Sequence, residues 1–179
     1  MKNVLIISTS LRGGSNSELL AKEAGKGAEE AGNCVELISL KGKRIQYCIG
    51  CLACLKTGKC VQKDDAPEIM EKLRRADVLI FATPIYYYEM CGQMKTLLDR
   101  MNPLYESDYA FREVYMIATA ADSGDHVFEK AYNGLQGWVD CFPKAKLCGL
   151  VAGGEISDPK DAANHTDVME KAYWLGKEV

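Results

Sequence analysis

The densest chemistry in the chain is a run of four cysteines, Cys48-x2-Cys51-x2-Cys54-x5-Cys60, within thirteen residues. In a reducing compartment, clustered thiols more often bind metal or react than form disulfides. Structural zinc sites usually draw two ligand pairs separated by a longer interval, whereas cysteines at successive x2 intervals follow the compact spacing of iron–sulfur ligands. The closing x5 interval and Val61 depart from the x3 and proline that end a ferredoxin run. Free thiols and a redox disulfide therefore stand beside a 4Fe-4S cluster as readings of this segment. Between residues 41 and 63 lie six basic residues and no acidic one, so this stretch is +6 and the rest of the chain -9. Cations so placed would offset the charge of a thiolate-bound cluster and hold the thiols deprotonated. They would equally draw an anionic substrate such as NADPH. Cys34, Cys91, Cys141 and Cys148 stand singly in apolar or strand-like surroundings and are expected to be buried as small hydrophobes.

A second candidate site is rich in hydroxyls. Ser8, Ser10, Arg12, Ser15, Asn16 and Ser17 fall in one segment with Thr9, Gly13 and Gly14. These side chains donate hydrogen bonds, and the glycines let backbone N–H groups approach an anion. At a helix start the free N–H groups and the dipole already favour negative charge, so the composition reads as a phosphate cradle. A polar loop with a serine cap is the plain alternative. The segment contains neither G-x-G-x-x-G nor G-x-x-x-x-G-K-[ST], which removes the dinucleotide and triphosphatase fingerprints. A terminal monophosphate such as that of FMN suits it.

The third segment is Thr83-Pro84-Ile85-Tyr86-Tyr87-Tyr88, followed by Gly92. Three adjacent tyrosines cannot all face a core, so at least one flat amphipathic ring is expected at the surface, where an isoalloxazine would pack. Thr119, Ala120, Asp122 and Gly124 form a small polar segment suited to a further side of the same site, with Asp122 alternatively a helix cap. His126 and His165 are read as surface residues. No acid–base group stands out, which leaves the difficult chemistry to the flavin.

These segments need a frame. Continuous apolar runs at 4–7, 34–38, 78–82, 114–118 and 146–151 suit strands covered on both faces. Between them, helices are expected at about 16–31, 66–75, 91–101, 126–141 and 160–175. Asp65 with Glu68 reads as a capping box, and Ser157 or Asp158 before Pro159 as the start of the last helix. Five strands alternating with five helices predict a doubly wound α/β sheet with ligands at the carboxyl ends of the strands. The irregular stretch at about 41–64 is long enough to be functional.

On these residues the chain resembles the NADPH-dependent FMN reductase family of flavodoxin-like proteins. Residues 10–17 are similar to that family's S-x-R-x-x-S-x-N/S phosphate loop, with Thr9 where glycine is usual. Thr83, Pro84, Tyr86, Gly92, Lys95, Asp99 and Arg100 match T-P-x-Y-x5-G-x-x-K-x3-D-R, with Cys91 in place of a frequent proline. The cysteine spacing is similar to that of the iron–sulfur flavoprotein branch. The resemblance implies a five-stranded parallel sheet with helices on both faces, and FMN held by the three segments above with the residues around 83–92 wrapping its ring. It also implies NAD(P)H as co-substrate or an electron-transfer protein as partner, and a homodimer or dimer of dimers with flavin near the interface.

At 179 residues, 47% hydrophobic and 26% charged, the chain reads as one domain spanning 1–179, with a cysteine-rich insertion loop. A net charge of -3 lacks the basic footprint of a nucleic-acid binder. No apolar run approaches the roughly 20 residues of a membrane span, and the first residues lack the pattern of a secretory signal, so a cytoplasmic protein is expected. Three other readings remain: a cluster-free flavin, quinone or nitro-compound reductase, a non-enzymatic electron carrier, and a binding module holding structural zinc.

Overall fold

A computed structural model describes residues 1–179. In chain order the elements are β1 (Asn3–Ser8), α1 (Asn16–Glu30), β2 (Cys34–Ser39), α2 (Ala53–Thr57), α3 (Ala66–Arg75), β3 (Val78–Tyr86), β4 (Glu89–Met90) and α4 (Gly92–Arg100). There follow β5 (Glu113–Thr119), α5 (His126–Val139), β6 (Lys146–Gly153) and α6 (Thr166–Glu178). Short 3-10 turns occupy Asn102–Leu104 and Asp161–Asn164. Five strands pair in parallel in the order β2-β1-β3-β5-β6, the doubly wound, flavodoxin-like order expected from the sequence.

The period of two along each central strand builds two cores. Leu5, Ile7, Leu79, Phe81 and Met116 face Ile69 of α3, Met94 of α4 and Leu135 of α5. Val4, Ile6, Val78, Ile80 and Ile117 face Leu20 and Ala24 of α1 and Val168 and Ala172 of α6. Burial on both faces is why β1 and β3 carry no polar alternation. The outer strands are different. Cys34 starts β2 and Cys148 lies in β6, and both are exposed, as is Cys141 after α5. Of the four single cysteines only Cys91 is buried, so the expected burial fails for three of them: Cys34 and Cys148 lie on the sheet's edge strands, which are partly uncovered, and Cys141 lies in the connection after α5.

Three local expectations are corrected. β3 continues past Ala82 to Tyr86 and returns through β4 as a hairpin, with Ile85 opposite Met90 and Tyr86 opposite Glu89. Its two central residues, Tyr87 and Tyr88, have φ of 52° and 66°, the left-handed pair of a type I′ turn. The side chain of Asp65 does not cap α3: it accepts from the Arg44 N–H, while Asp64 Oδ1 accepts from the Ala66 N–H at 3.1 Å. The last helix begins at Thr166 rather than near 160, because Lys160 is left-handed (φ 69°) and the turn at Asp161–Asn164 intervenes. No helix is long and apolar enough to cross a membrane.

α1 and α6 cross so closely that a Cβ on Gly27 would collide with the Tyr173 carbonyl, and one on Gly176 with that of Ala24. Gly176→Ala is therefore expected to destabilise the fold by about 1–3 kcal/mol, the usual range for an overpacked core. Gly137→Ala, on α5 with open space around it, should be neutral or stabilising by up to about 1 kcal/mol. Thermal unfolding of the two variants checks this; equal stability for Gly176→Ala and the parent chain would contradict the close crossing.

Candidate functional site

The segment between β1 and α1 folds over the carboxyl end of the sheet. Ser15 is the N-cap of α1, its Oγ accepting from the Glu18 N–H at 3.2 Å. No acceptor within the chain takes the N–H groups of Ser10, Gly13, Gly14 or Ser15. Unpaired donors at the head of a helix form an anion site. Ser10, Arg12, Ser15 and Asn16 line a cleft of about 200 Å³ with Pro84, Ile85 and Tyr86 from β3 and Thr119, Ala120 and Ala121 from the end of β5. Residues from all three predicted segments thus meet in one place.

Other predicted residues stand behind or beside the cleft. Ser8 is fully buried and its hydroxyl has no partner, and Ser17, also buried, lies 3.1 Å from the Ser15 hydroxyl. The Thr83 hydroxyl donates to the Pro84 carbonyl and accepts from the Cys91 N–H at 3.2 Å, clasping the two ends of the hairpin. Tyr87 is 98% exposed at the tip. The Tyr88 hydroxyl donates to Asp122 Oδ2 at 3.4 Å and Lys130 lies over the Tyr88 ring, tying the hairpin to the segment after β5. Gly124 provides the left-handed turn (φ 96°) before α5. Gly92, the first residue of α4, instead lines a separate pocket with Leu11, Lys43 and Tyr47.

The fourth wall was missed by sequence reasoning. Ile156 and Ser157, after β6, line the same cleft. Arg12 Nη1 donates to the Ser157 carbonyl at 2.7 Å. Asn16 donates to the Asp158 carbonyl at 2.8 Å and accepts from the Ala162 N–H at 3.1 Å, so both ends of its amide hold this wall in place. Pro159 read as a helix start and hid the contribution. Lys41 was visible only as part of the basic run, yet its Nζ lies 3.5 Å from where a Cβ on Gly13 would stand, at the rim of the anion loop.

A second cavity of about 340 Å³ is lined by Cys48, Cys51, Cys54 and Cys60 together with Arg100 and Asn102. No three His, Cys, Asp or Glu side chains converge tightly enough to hold one metal ion, so the thiols ring a space instead of meeting at a point. The guanidinium of Arg100 is fixed here. Nη1 donates to the Gln46 carbonyl at 2.8 Å and to Asp64 Oδ2 at 2.5 Å, while Nη2 donates to Asp64 Oδ1 at 2.9 Å and to Cys60 Sγ at 3.4 Å. The side chains of Arg100 and Asp64 are 1% and 0% exposed. Burial alone would raise the pKa of Asp64, but hydrogen bonds from Arg100 and from the Gln46 and Ala66 N–H groups outweigh it and hold the carboxyl below its ordinary value. Arg100 Nε has no partner, and Asn102 Nδ2 donates to Cys54 Sγ at 3.1 Å. Four cysteines around an open space, N–H donors to sulfur and an unpaired buried donor fit a polynuclear cluster better than a single ion.

Comparison with known proteins finds relatives in sequence and in fold. The family model described as NADPH-dependent FMN reductase matches residues 2–144. An iron-sulfur flavoprotein of Archaeoglobus fulgidus is 41% identical over 103 residues, covering 58% of this chain and 46% of the relative. That of Methanosarcina thermophila is 31% identical over 152 residues, covering 84% and 76%. The chain spans about half the length of the Archaeoglobus relative and of a Methanocaldococcus jannaschii iron-sulfur flavoprotein, at 46% and 52%. Among solved structures, the NAD(P)H:quinone oxidoreductase from Methanothermobacter marburgensis superposes with a TM-score of 0.76 at 18% identity, covering 99% of this chain and 95% of that one. At that identity the likeness shows the fold.

Removing one partner of a buried ion pair leaves an uncompensated charge or an unmet donor set, which costs about 3–5 kcal/mol. Arg100→Met and Asp64→Asn should each destabilise on that scale, and the double variant by clearly less than their sum. Because the Asp64 pKa is lowered on folding, its contribution is complete above the ordinary Asp value of about 3.9 and is lost as pH falls below it. A double-mutant cycle by denaturant unfolding, repeated down to low pH, measures both effects; additive losses would show that the pair is not coupled.

Proposed function

The chain belongs to the NADPH-dependent FMN reductase family, and from that premise we propose that it is an FMN-dependent oxidoreductase passing electrons between a reduced donor, NAD(P)H or a small electron-transfer protein, and an acceptor. We further propose that Cys48, Cys51, Cys54 and Cys60 hold a 4Fe-4S cluster as its second redox centre. The observation that carries the reading is the meeting of the three predicted segments around one cleft headed by unpaired N–H groups.

Each side chain has a task. The Ser10 and Ser15 hydroxyls, the free N–H groups and the Arg12 guanidinium grip the phosphate, with Lys41 adding charge at the rim. Pro84 to Tyr86 and Thr119 to Ala121 flank the ring, where the Ala121 N–H has no acceptor within the chain and the lining carries few competing charges. The Tyr88–Asp122 hydrogen bond holds hairpin and loop together beside the cleft. When bound, FMN accepts two electrons with a hydride and releases them singly, and a 4Fe-4S cluster carries one at a time, so the pair would couple two-electron to one-electron partners. The exposed Tyr86 and Tyr87 suit a homodimer or dimer of dimers, in which a second copy covers the hairpin. A cluster-free reductase is the second reading, favoured by the exposure of Cys48 and Cys51.

Two measurements test this. FMN fluorescence should be quenched at micromolar protein, and riboflavin, which lacks the phosphate, should bind at least about 100-fold more weakly, since each hydrogen bond to a charged group contributes about 1.5–3 kcal/mol. Equal affinity for the two would remove the phosphate assignment. Anaerobically purified and reconstituted protein should contain iron and acid-labile sulfide with a broad absorbance beside the flavin bands; flavin bands without either would leave the cluster-free reductase standing.

A further inference from the structure

Two of the four thiols differ from the others. Cys54 and Cys60 accept N–H groups from residues at and just beyond the end of α4, Asn102 at 3.1 Å and Arg100 at 3.4 Å. Cys48 and Cys51 are exposed and accept none. The two donors are not equivalent. Arg100 also binds the Gln46 carbonyl and both oxygens of Asp64, so it fixes both ends of the loop. The amide of Asn102 makes one hydrogen bond in the structure, to the Cys54 sulfur. Its neighbours Met101, Pro103 and Leu104 are buried and fix the backbone there independently of that amide.

We infer that Asn102 is a positioning residue for the thiol-lined cavity, whose N–H donation to Cys54 raises the reduction potential of the cluster held there. The inference rests on the cluster reading above. Reduction adds one electron to the bound cluster, and the added charge spreads onto its sulfur ligands. An N–H dipole aimed at one of those sulfurs stabilises the reduced state more than the oxidised one. Removing the donor should therefore make reduction harder, and replacing it with a carboxylate harder still.

The test is an anaerobic potentiometric titration of the cluster, followed by its paramagnetic signal, in wild-type protein, Asn102→Ala and Asn102→Asp. Iron, sulfide and FMN per chain and melting temperature are read alongside. At the wild-type midpoint the reduced-to-oxidised ratio should fall severalfold in Asn102→Ala. It should fall at least tenfold in Asn102→Asp, a shift of about 59 mV for a one-electron couple. Unchanged midpoints in variants that keep their iron would overturn the assignment while leaving the cluster reading intact. Loss of iron from both variants would overturn it too, by making the amide part of the scaffold. Wild-type protein without iron or sulfide after reconstitution would remove the cluster reading and this inference together.

Discussion

A guanidinium withdrawn from water keeps its charge and therefore needs acceptors around it, and Arg100 finds its side-chain acceptors on one segment. The Gln46 carbonyl and the Asp64 carboxylate bracket the cysteine run, and Cys60 lies between them in the chain. Hydrogen bonds from Arg44 to Asp65 and Lys63 and from Gln62 to Tyr47 close the segment on itself, but little apolar burial holds it to the domain. α2 has five residues and buries none of them, and Tyr47, Ile49, Leu52, Leu55 and Val61 are exposed. Ile45 packs against the core at one end and Ala66 enters it at the other. Between those points, the Arg100–Asp64 ion pair and the Asn102 hydrogen bond to Cys54 tie the thiol loop to the end of α4. The loop cannot swing away without leaving a bare charge behind.

The sequence shows the frame plainly because burial on both faces writes itself as continuous apolar runs, and β1, β3 and β5 are such strands. The loop between β1 and α1 stands out for a similar reason: hydroxyls and glycines between a strand and a helix leave backbone N–H groups at the helix head unpaired. What stayed hidden depended on contacts far apart in the chain. The hairpin at Tyr87 and Tyr88 places two L-residues in the left-handed region, each costing about 1–2 kcal/mol, without the Asn-Gly signal that marks such turns. Clasps from Thr83 to Cys91 and from Tyr88 to Asp122 hold it, and neither is visible in local composition. Asp64 and Asp65 are adjacent and identical, so only the position of Arg100 and Arg44 decides which carboxylate does what. The wall after β6 was masked by its proline.

The two places where the chain departs from the family pattern are in contact. Thr9 replaces a usual glycine and Cys91 a frequent proline, and the Thr9 hydroxyl lies 3.2 Å from the Cys91 sulfur while donating to the Ala82 carbonyl at 2.9 Å. Thr9 has no positive φ, so its backbone does not need glycine. Cys91 keeps an N–H that proline lacks and gives it to Thr83. Each change supplies a polar atom that the other side of the junction uses. The result is a buried seam joining the anion loop to the start of α4.

α4 is then attached at both of its ends to the two candidate redox sites. Its N-terminal side carries the hairpin that flanks the cleft, and its last residue, Arg100, holds the thiol loop. Nine residues at about 1.5 Å each make a rod roughly 13 Å long, with Met94, Leu97 and Leu98 buried in the core. A rod anchored in this way does not bend with its loops. The helix thus spans from the hairpin that flanks the cleft to the thiol-lined cavity. Motion of the exposed cysteine loop would change the solvent access of Cys48 and Cys51, while the Arg100 and Asn102 contacts tie Cys60 and Cys54 to the end of α4.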